Sequence, residues 1–220
     1  MRKIFTLALL AAALNLINFS TVLADQLYSV SVTNLTRGQI LSPMLAITHT
    51  QAFRLFQSGQ PASPGLAALA QDADTSLLEA ELSASSDVEE VMLGNGVIMP
   101  GKTDTVTIKT ANNKRYLSVA AMLVTTNDAF YALNAVRAPK KDTPIIYTVP
   151  AYDAGAEANN EMCDYIPGPP CNNPHQQSTE AGEGFVHIHA GIHGSGDLSA
   201  ADFDWRNPVV LISIRRLDDD

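Results

Sequence analysis

The chain has 220 residues and a formal net charge of −9, because 23 acidic side chains outnumber 14 basic ones. Nucleic-acid binding requires clustered Lys and Arg, and the sequence contains no such cluster, so nucleic acid is excluded as a partner. Anionic membranes are poor partners for the same reason. The length suits one domain with a substantial core, particularly an all-β domain.

The first 24 residues have the features of a secretory signal peptide. Two basic residues are followed by an apolar run over residues 4–17, and the sequence predicts cleavage near Ala24-Asp25. We therefore expect a secreted or periplasmic protein whose single domain spans residues 25–220. No later segment is long and apolar enough for a transmembrane helix. Asn34 lies in an N-glycosylation pattern, which matters only in a eukaryotic secretory pathway.

Period-two alternation of apolar and polar residues dominates the rest of the chain and predicts β-strands. Short strands joined by polar, Gly-bearing or Pro-bearing segments favour an all-β fold, an eight-stranded antiparallel β-sandwich. The eight candidate strands cover residues 27–33, 44–48, 105–109, 117–124, 131–136, 145–149, 185–190 and 210–215.

One region between the early strands breaks this alternation. Ser63 and Pro64 are residue types preferred at a helix N-cap and at the first helical position, and apolar residues at helical spacing follow them. We expect one or two short helices over residues 64–83. The prediction places them over an end of the sandwich.

Cys163 and Cys171 are the two cysteines of the chain, and they flank a segment rich in Pro and Gly. In an oxidising compartment, a disulfide between them would pin a loop that has little core of its own. Zinc sites that use a pair of cysteines have shorter spacings, so the sequence favours a Cys163–Cys171 disulfide over a metal site.

Two acidic loops each follow a strand candidate. Asp128 comes after residues 117–124, and Asp153 and Glu157 come after residues 145–149. If these strands end on the same side of a sheet, the three carboxylates meet in one loop cluster. Ca²⁺ binds oxygen ligands from carboxylates and loop carbonyls, so the pattern predicts a Ca²⁺ site. An acid/base pair is the alternative for Asp153 and Glu157, although across a Gly turn they more naturally converge on one cation.

A second cluster with metal-binding chemistry contains three of the five histidines, His187, His189 and His193. In a strand, His187 and His189 share a face. This arrangement can hold Zn or Cu, with His193 or Asp197 as a further ligand. A structural or hydrogen-bonding role, including support of the nearby carboxylates, is the favoured interpretation, and a bound transition metal is the less favoured one.

The alternative function is an extracytoplasmic metalloenzyme that uses these histidines. Copper/zinc superoxide dismutases also combine a β-sandwich, a disulfide and a similar His-bearing strand, but their metal pair needs more histidines than the five present here. Cupins follow the His-x-His pattern with Glu, whereas this chain continues with Ala190. Other catalytic motifs, such as the Gly-x-Ser-x-Gly elbow and phosphate-binding Gly-rich loops, are absent. We therefore expect no enzymatic activity.

Asp128 behind one apolar strand, and Tyr152-Asp153-Ala154-Gly155-Ala156-Glu157 behind another, resemble the spondin domain, the N-terminal module of F-spondin and mindin. Residues 184–208, Ile47-Thr48-His49 and residues 53–70 are similar to the bacterial branch of that family, which is often a single secreted domain. The resemblance covers nearly the whole chain after residue 24.

The resemblance implies an antiparallel sandwich similar to calcium-dependent lipid-binding domains, with Ca²⁺ held by Asp128, Asp153 and Glu157 at one end. Where the animal proteins have Ser-Pro-Asp-Trp, this chain has Thr126-Asn127-Asp128-Ala129, which keeps the carboxylate and lacks the Trp. The acid four residues after Asp153 is Glu instead of Asp. Animal relatives take part in adhesion, so the resemblance implies a Ca²⁺-organised loop end that docks an extracellular protein, glycan or glycolipid surface.

Overall fold

A computed structural model describes residues 25–111 and 113–217, so the predicted signal peptide lies outside the described residues. The described chain forms two antiparallel β-sheets that pack face to face, as the sequence predicts. The strands are β1 (Gln26–Asn34), β2 (Leu45–His49), β3 (Val88–Leu93), β4 (Thr103–Thr110), β5 (Tyr116–Met122), β6 (Ala129–Arg137), β7 (Ile145–Val149), β8 (Ala151–Asp153), β9 (His187–Ile188) and β10 (Val210–Arg216).

The four-stranded sheet has the order β4-β1-β10-β7. Its inward face comes from the alternation seen in the sequence: Tyr28, Val30 and Val32 on β1 are buried, while the residues between them are more exposed. Val30 lies opposite Ile214 in the β1–β10 pairing. The last strand of the described chain therefore pairs with the first, at the centre of this sheet.

The six-stranded sheet has the order β3-β2-β5-β6-β8-β9. Strand β2 is buried at all five positions, and β5 and β6 are buried over most of their length. Such strands have apolar neighbours on both faces, so they read as nearly continuous apolar runs instead of alternating ones. Two separate apolar clusters provide this burial.

Helix residues form part of the second apolar cluster, which covers one face of the six-stranded sheet. The helices are α1 (Pro64–Asp72), α2 (Ser76–Ala84) and the short α3 (Ala200–Phe203), with a 3₁₀ turn at Cys163–Tyr165. The Ser63 hydroxyl accepts a hydrogen bond from the Leu66 N–H, as expected of an N-cap. However, α1 and α2 pack on the outer face of the six-stranded sheet through Leu66, Leu69, Leu78 and Leu82, and not over an end of the sandwich. The expected position was wrong because the apolar outer face of β2, β5 and β6 requires a cover.

The strand count differs from the predicted eight, although the architecture agrees. Strands β3 and β8 were not expected, and β9 covers two residues of the predicted 185–190 run. Strand β3 lies at a sheet edge and contains Glu89 and Glu90, which interrupt the apolar pattern. Strands β7 and β8 are separated by Pro150 alone, yet they belong to different sheets.

The structure contains the predicted disulfide and buries Asn34, the residue of the N-glycosylation pattern. Cys163 and Cys171 form the predicted disulfide, with their Cα atoms 4.8 Å apart. Asn34 is 1% exposed, and its side-chain amide donates to the carbonyls of Gln39 and Ile98. In the folded domain this side chain therefore has a structural role.

Within the described ranges, no helix has the length and apolar character needed to cross a membrane.

Candidate functional site

The two acidic loops converge because β6 pairs with both β5 and β8. Asp128 is the last residue of the turn between β5 and β6, and Asp153 is the last residue of β8. Ala129 lies directly opposite Asp153 in the β6–β8 register. The two loops therefore meet, but not as the sequence predicts: the 145–149 run is β7 of the four-stranded sheet, and β8 is the strand that brings Asp153 to the six-stranded sheet beside β6.

Asp128 is fully buried at this end. Its Oδ2 accepts hydrogen bonds from the N–H groups of Ala156, at 2.7 Å, and Glu157, at 3.0 Å. Its backbone carbonyl accepts from the Ala154 N–H. The other carboxylate oxygen, Oδ1, has no hydrogen-bond partner among the described residues. Asp128 thus fixes the second acidic loop against the first and retains one unused buried oxygen.

Asp153 is also buried, at 1% exposure. Its Oδ1 accepts from the Gly155 N–H at 2.7 Å, and its Oδ2 accepts from the Asn159 side-chain amide at 2.6 Å. The Nε2 atoms of His187 and His189 each lie 3.9 Å from Oδ2. The carboxylate cluster and the histidine cluster of the sequence therefore meet at Asp153.

Glu157 is buried in the same loop cluster, and its Oε1 accepts a hydrogen bond from the Ser178 N–H. The chain reaches this position through Gly155, whose φ of +66° is a conformation that glycine adopts at low cost. A Cβ at Gly155 would lie 2.5 Å from the backbone of Phe185. The glycine thus allows the 182–187 segment to lie directly against the acidic loop.

Burial without a counter-charge raises the pKa values of these carboxyl groups. Burial, assisted by the charge of Asp153, raises the pKa of Asp128 to about 8. Burial also raises the pKa of Asp153, and it raises the pKa of Glu157 to about 7. The three groups can be ionised together at neutral pH only with a free-energy cost, which a nearby cation would offset.

His189 is a structural residue of this region. Its Nε2 lies 2.9 Å from the Asn159 Oδ1, and its Nδ1 accepts from the Gly191 N–H at 2.9 Å. Both ring nitrogens are therefore engaged within the protein, which assigns the proton to Nε2. The ring packs against Trp205, and burial lowers the pKa of His189 to about 4. This arrangement agrees with the favoured hydrogen-bonding role and leaves no ring nitrogen for a metal.

The remaining histidines are dispersed. His193 is exposed and contributes its backbone N–H, which donates to Glu161. His49 is the last residue of β2, where it contacts Ser118, and His175 lies beside Asp72. The Nε2 of His187 faces the Asp153 carboxylate at 3.9 Å, and among the described residues its recorded hydrogen bond is made by Nδ1 instead. The structure therefore does not assemble His187, His189 and His193 as a three-histidine metal site.

Two glutamates of this region have roles that no sequence pattern indicates. Glu161 is buried, and its carboxylate accepts from the N–H groups of His193 and Ser195, so it fixes the Gly-rich loop. Glu183 is exposed beside Asp153 and His187. Neither lies in a recognisable spacing, because the partners of Glu161 are more than thirty residues away.

A family model described as Spondin_N matches residues 23–163, which include both acidic loops and end before the histidine cluster. No match was found among curated proteins. The family match and the two-sheet antiparallel fold confirm the resemblance seen in the sequence. The chain therefore belongs to the spondin N-terminal domain family.

Proposed function

We propose that this chain is a secreted, non-enzymatic recognition and adhesion domain whose loop end is organised by Ca²⁺. The buried Asp128 carboxylate carries the proposal. A buried carboxylate oxygen without a hydrogen-bond partner is costly, and a bound cation would remove that cost. Asp153 and Glu157 would supply further carboxylate ligands of the kind that Ca²⁺ takes. Among the described residues the ligand atoms of the three side chains do not all lie within 4.8 Å of one another, so these side chains would have to draw together around the cation.

Bound Ca²⁺ would supply positive charge that holds two loops together. Both loops already contact each other through the Asp128 carboxylate and the N–H groups of Ala156 and Glu157. Ca²⁺ would stabilise the ionised form of all three carboxyl groups, whose pKa values burial raises. The loop end would then present a fixed surface to a partner.

The disulfide and the family membership support an extracellular or periplasmic location. The partner proposed for the loop end is an extracellular protein, glycan or glycolipid surface. Phe185, with 40% of its surface exposed, packs its ring against His187, which is opposite Asp153 in the β8–β9 pairing, so exposed apolar area is present next to the charged cluster.

Calcium titration tests the proposal. Protein purified without a polyhistidine tag should bind Ca²⁺ in isothermal titration calorimetry, and Asp128→Asn should abolish the binding. At a Ca²⁺ concentration one hundredfold above the dissociation constant, binding should stabilise the fold by about 2.7 kcal/mol. For a chain of this size, that corresponds to a rise in Tm of roughly 5–10 °C.

Asp142→Asn is the matched control, because Asp142 is exposed in the connection between β6 and β7, at the other end of β6 from Asp128. This variant should bind Ca²⁺ like the wild type. Equal Ca²⁺ binding by Asp128→Asn and the wild type would contradict the proposed site. Binding to glycan, glycolipid and matrix-protein arrays, measured with Ca²⁺ and with a chelator, then tests the recognition role.

The metalloenzyme alternative receives less support from the site. It requires His187, His189 and His193 as ligands, but both ring nitrogens of His189 are engaged and His193 is exposed. The recognition role is therefore the better account of the geometry.

A further inference from the structure

Three side chains beside the proposed Ca²⁺ ligands have the donor set of a different kind of metal site. Among the described residues, Asp153, Glu183 and His187 place one ligand atom each within 4.8 Å of one another. Asp153 is buried, His187 is half-buried and Glu183 is exposed. The group thus begins at the buried carboxylate cluster and opens to solvent.

We propose that Asp153, Glu183 and His187 form a second cation site, which binds a divalent transition metal of the Zn²⁺ type. An imidazole nitrogen with two carboxylate oxygens suits Zn²⁺ and its neighbours in the first transition row. Ca²⁺ takes oxygen ligands and gains little from imidazole. The nitrogen donor therefore separates this site from the Ca²⁺ site.

The backbone explains why these side chains meet. Asp153 and His187 are directly opposite each other in the β8–β9 pairing, so their side chains project from the same face. Glu183 reaches the pair because its segment is fixed against Gly155. The Gly184 N–H donates to the Gly155 carbonyl at 2.9 Å, and Phe185 occupies the space that a Cβ at Gly155 would fill.

The hydrogen bonding of the His187 ring also suits a ligand. Its Nδ1 lies 3.2 Å from the Phe185 carbonyl oxygen, which can only accept, so the proton belongs on Nδ1. In the neutral tautomer protonated at Nδ1, Nε2 carries a lone pair, and it lies 3.9 Å from the Asp153 Oδ2. A metal ligand whose other ring nitrogen donates to a carbonyl is a common arrangement in protein metal sites.

The distances are compatible with a metal after a small adjustment. Two ligand atoms on a tetrahedral Zn²⁺ are roughly 3.4 Å apart, given Zn–N and Zn–O bonds of about 2.0–2.1 Å. The observed 3.9 Å between His187 and Asp153 requires the side chains to approach by about half an ångström. Glu183 is exposed and can move further. Three protein donors leave one tetrahedral position for water or for a donor atom from a partner.

This site differs from the proposed Ca²⁺ site in two of its three residues. Asp128 and Glu157 are not members of the group, and Asp153 is shared. Glu183 and His187 also lie beyond residues 23–163, where the family model matches. Because the two sites share Asp153 alone, variants of Asp128 and variants of His187 or Glu183 test them separately.

Zn²⁺ titration of the untagged protein tests the site by calorimetry and by elemental analysis after dialysis. The wild type should bind one equivalent of Zn²⁺ that His187→Ala and Glu183→Gln weaken at least tenfold. The matched controls are His193→Ala and Glu180→Gln, which alter exposed residues of the same region outside the group. Both controls should bind Zn²⁺ with wild-type affinity.

Two variants with opposite effects on Ca²⁺ and Zn²⁺ binding distinguish the two sites. Asp128→Asn should lose Ca²⁺ and keep Zn²⁺, whereas His187→Ala should lose Zn²⁺ and keep Ca²⁺. Wild-type Zn²⁺ affinity in His187→Ala, or equal losses in His187→Ala and His193→Ala, would overturn the proposal. Nitrogen-15 NMR of the wild type gives a test without substitution: Zn²⁺ should shift the His187 Nε2 resonance. A shift confined to His189 or His193 would also overturn the proposal.

Discussion

Asp128 holds a carboxylate in a position where an isolated charge is unfavourable. Burial and the charge of Asp153 raise its pKa to about 8, far above the value of 3.8 for an exposed aspartic acid. Below pH 8, and without a cation, the group is mostly protonated. Ca²⁺ requires the ionised form, so Ca²⁺ and protons compete for this side chain.

Ca²⁺ affinity should therefore rise with pH between 6 and 8, by up to about tenfold per pH unit for each group that must lose a proton. Calorimetry at several pH values, in buffers of different ionisation enthalpy, would measure the released protons. Glu157, whose burial raises its pKa to about 7, should contribute mainly at the lower end of this range. An affinity that is constant from pH 6 to pH 8 would show that these carboxyl groups are not the ligands.

The stability of the cation-free protein should change in the opposite direction. The native pKa of Asp128 is above that of the unfolded chain, so between pH 4 and pH 8 the native state retains a proton that the unfolded state has lost. The contribution of Asp128 to stability therefore decreases as pH rises through this range. Asp128→Asn should flatten the decrease, as measured by urea unfolding in the presence of a chelator.

Tyr131 offers a third prediction at the residue scale. The side chain is fully buried between the sheets, and its hydroxyl has no hydrogen-bond partner among the described residues. Removing a buried polar group without a partner removes a desolvation cost. Tyr131→Phe should leave the free energy of unfolding unchanged or raise it by about 1 kcal/mol.

Tyr28→Phe is the matched comparison for Tyr131→Phe. The Tyr28 hydroxyl is also buried, but it donates to the Pro139 carbonyl at 3.1 Å. Its loss should cost about 1 kcal/mol. Urea unfolding of both variants provides the measurement, and a larger loss in Tyr131→Phe than in Tyr28→Phe would contradict the assignment.

At the scale of elements, the contact between the acidic loop and the 182–187 segment depends on Gly155. Its φ is +66°, and an added Cβ would meet the Phe185 backbone at 2.5 Å. Gly184 has a similar φ of +79°, but a Cβ there would meet nothing within 4 Å. An alanine at position 184 would therefore suffer only from the unfavourable φ, whereas an alanine at position 155 would also collide with the Phe185 backbone.

Gly184→Ala should destabilise the fold by about 1 kcal/mol, because only the positive φ is unfavourable. Gly155→Ala should cost more than about 2 kcal/mol, because the segment with Glu183 and His187 must also move. It should also weaken Zn²⁺ binding. Denaturant unfolding and Zn²⁺ titration measure both effects, and equal costs for the two variants would show that the close approach is unimportant.

Sequence patterns identified some elements and missed others for physical reasons. Strands with one solvent-facing side, such as β1 and β10, alternate clearly and were predicted nearly at their observed bounds. Strand β8 has three residues and is defined by its pairing with β6 and β9, which no local pattern encodes. The helices were recognised from Ser63 and Pro64, but their position depends on the apolar outer face of a sheet that forms only in the folded chain.

At the scale of the whole molecule, the six-stranded sheet has a core on each face. One cluster lies between the sheets, and the other lies under α1 and α2. Leu69→Ala in the helical cluster and Ile212→Ala between the sheets remove fully buried side chains. Each should cost about 2–5 kcal/mol while preserving a single unfolding transition.

This comparison distinguishes an integral helical layer from a peripheral one. If the helices were loosely attached, Leu69→Ala would produce a separate early transition or a much smaller loss. Thermal and denaturant unfolding, followed by near-ultraviolet and far-ultraviolet circular dichroism, would resolve the two cases. Coincident transitions in both spectral regions are expected.

In the candidate site, too, local sequence patterns do not reveal contacts between residues that are far apart in the chain. Asp128, Asp153 and Glu157 were predicted as ligands because each comes after an apolar run of the sequence, although Asp153 itself belongs to the unexpected strand β8. Glu183 was not found because it joins Asp153 only through the β8–β9 pairing and the close approach to Gly155. Residue types indicated the chemistry. The tertiary fold places both His187 and His189 near Asp153 and engages both ring nitrogens of His189 in hydrogen bonds.

The pairing of β1 with β10 places the two ends of the described chain side by side, with Tyr28 opposite Arg216. Tyr28 also contacts Pro139, which follows the end of β6 that is farthest from Asp128. The nine residues of β6 span roughly 25–30 Å between these positions. A tether attached to either end of the described chain would hold the domain at the end opposite the acidic loops. The loops would then face away from the anchoring surface. Immobilisation through either terminus should therefore leave the loop end accessible to a partner in solution.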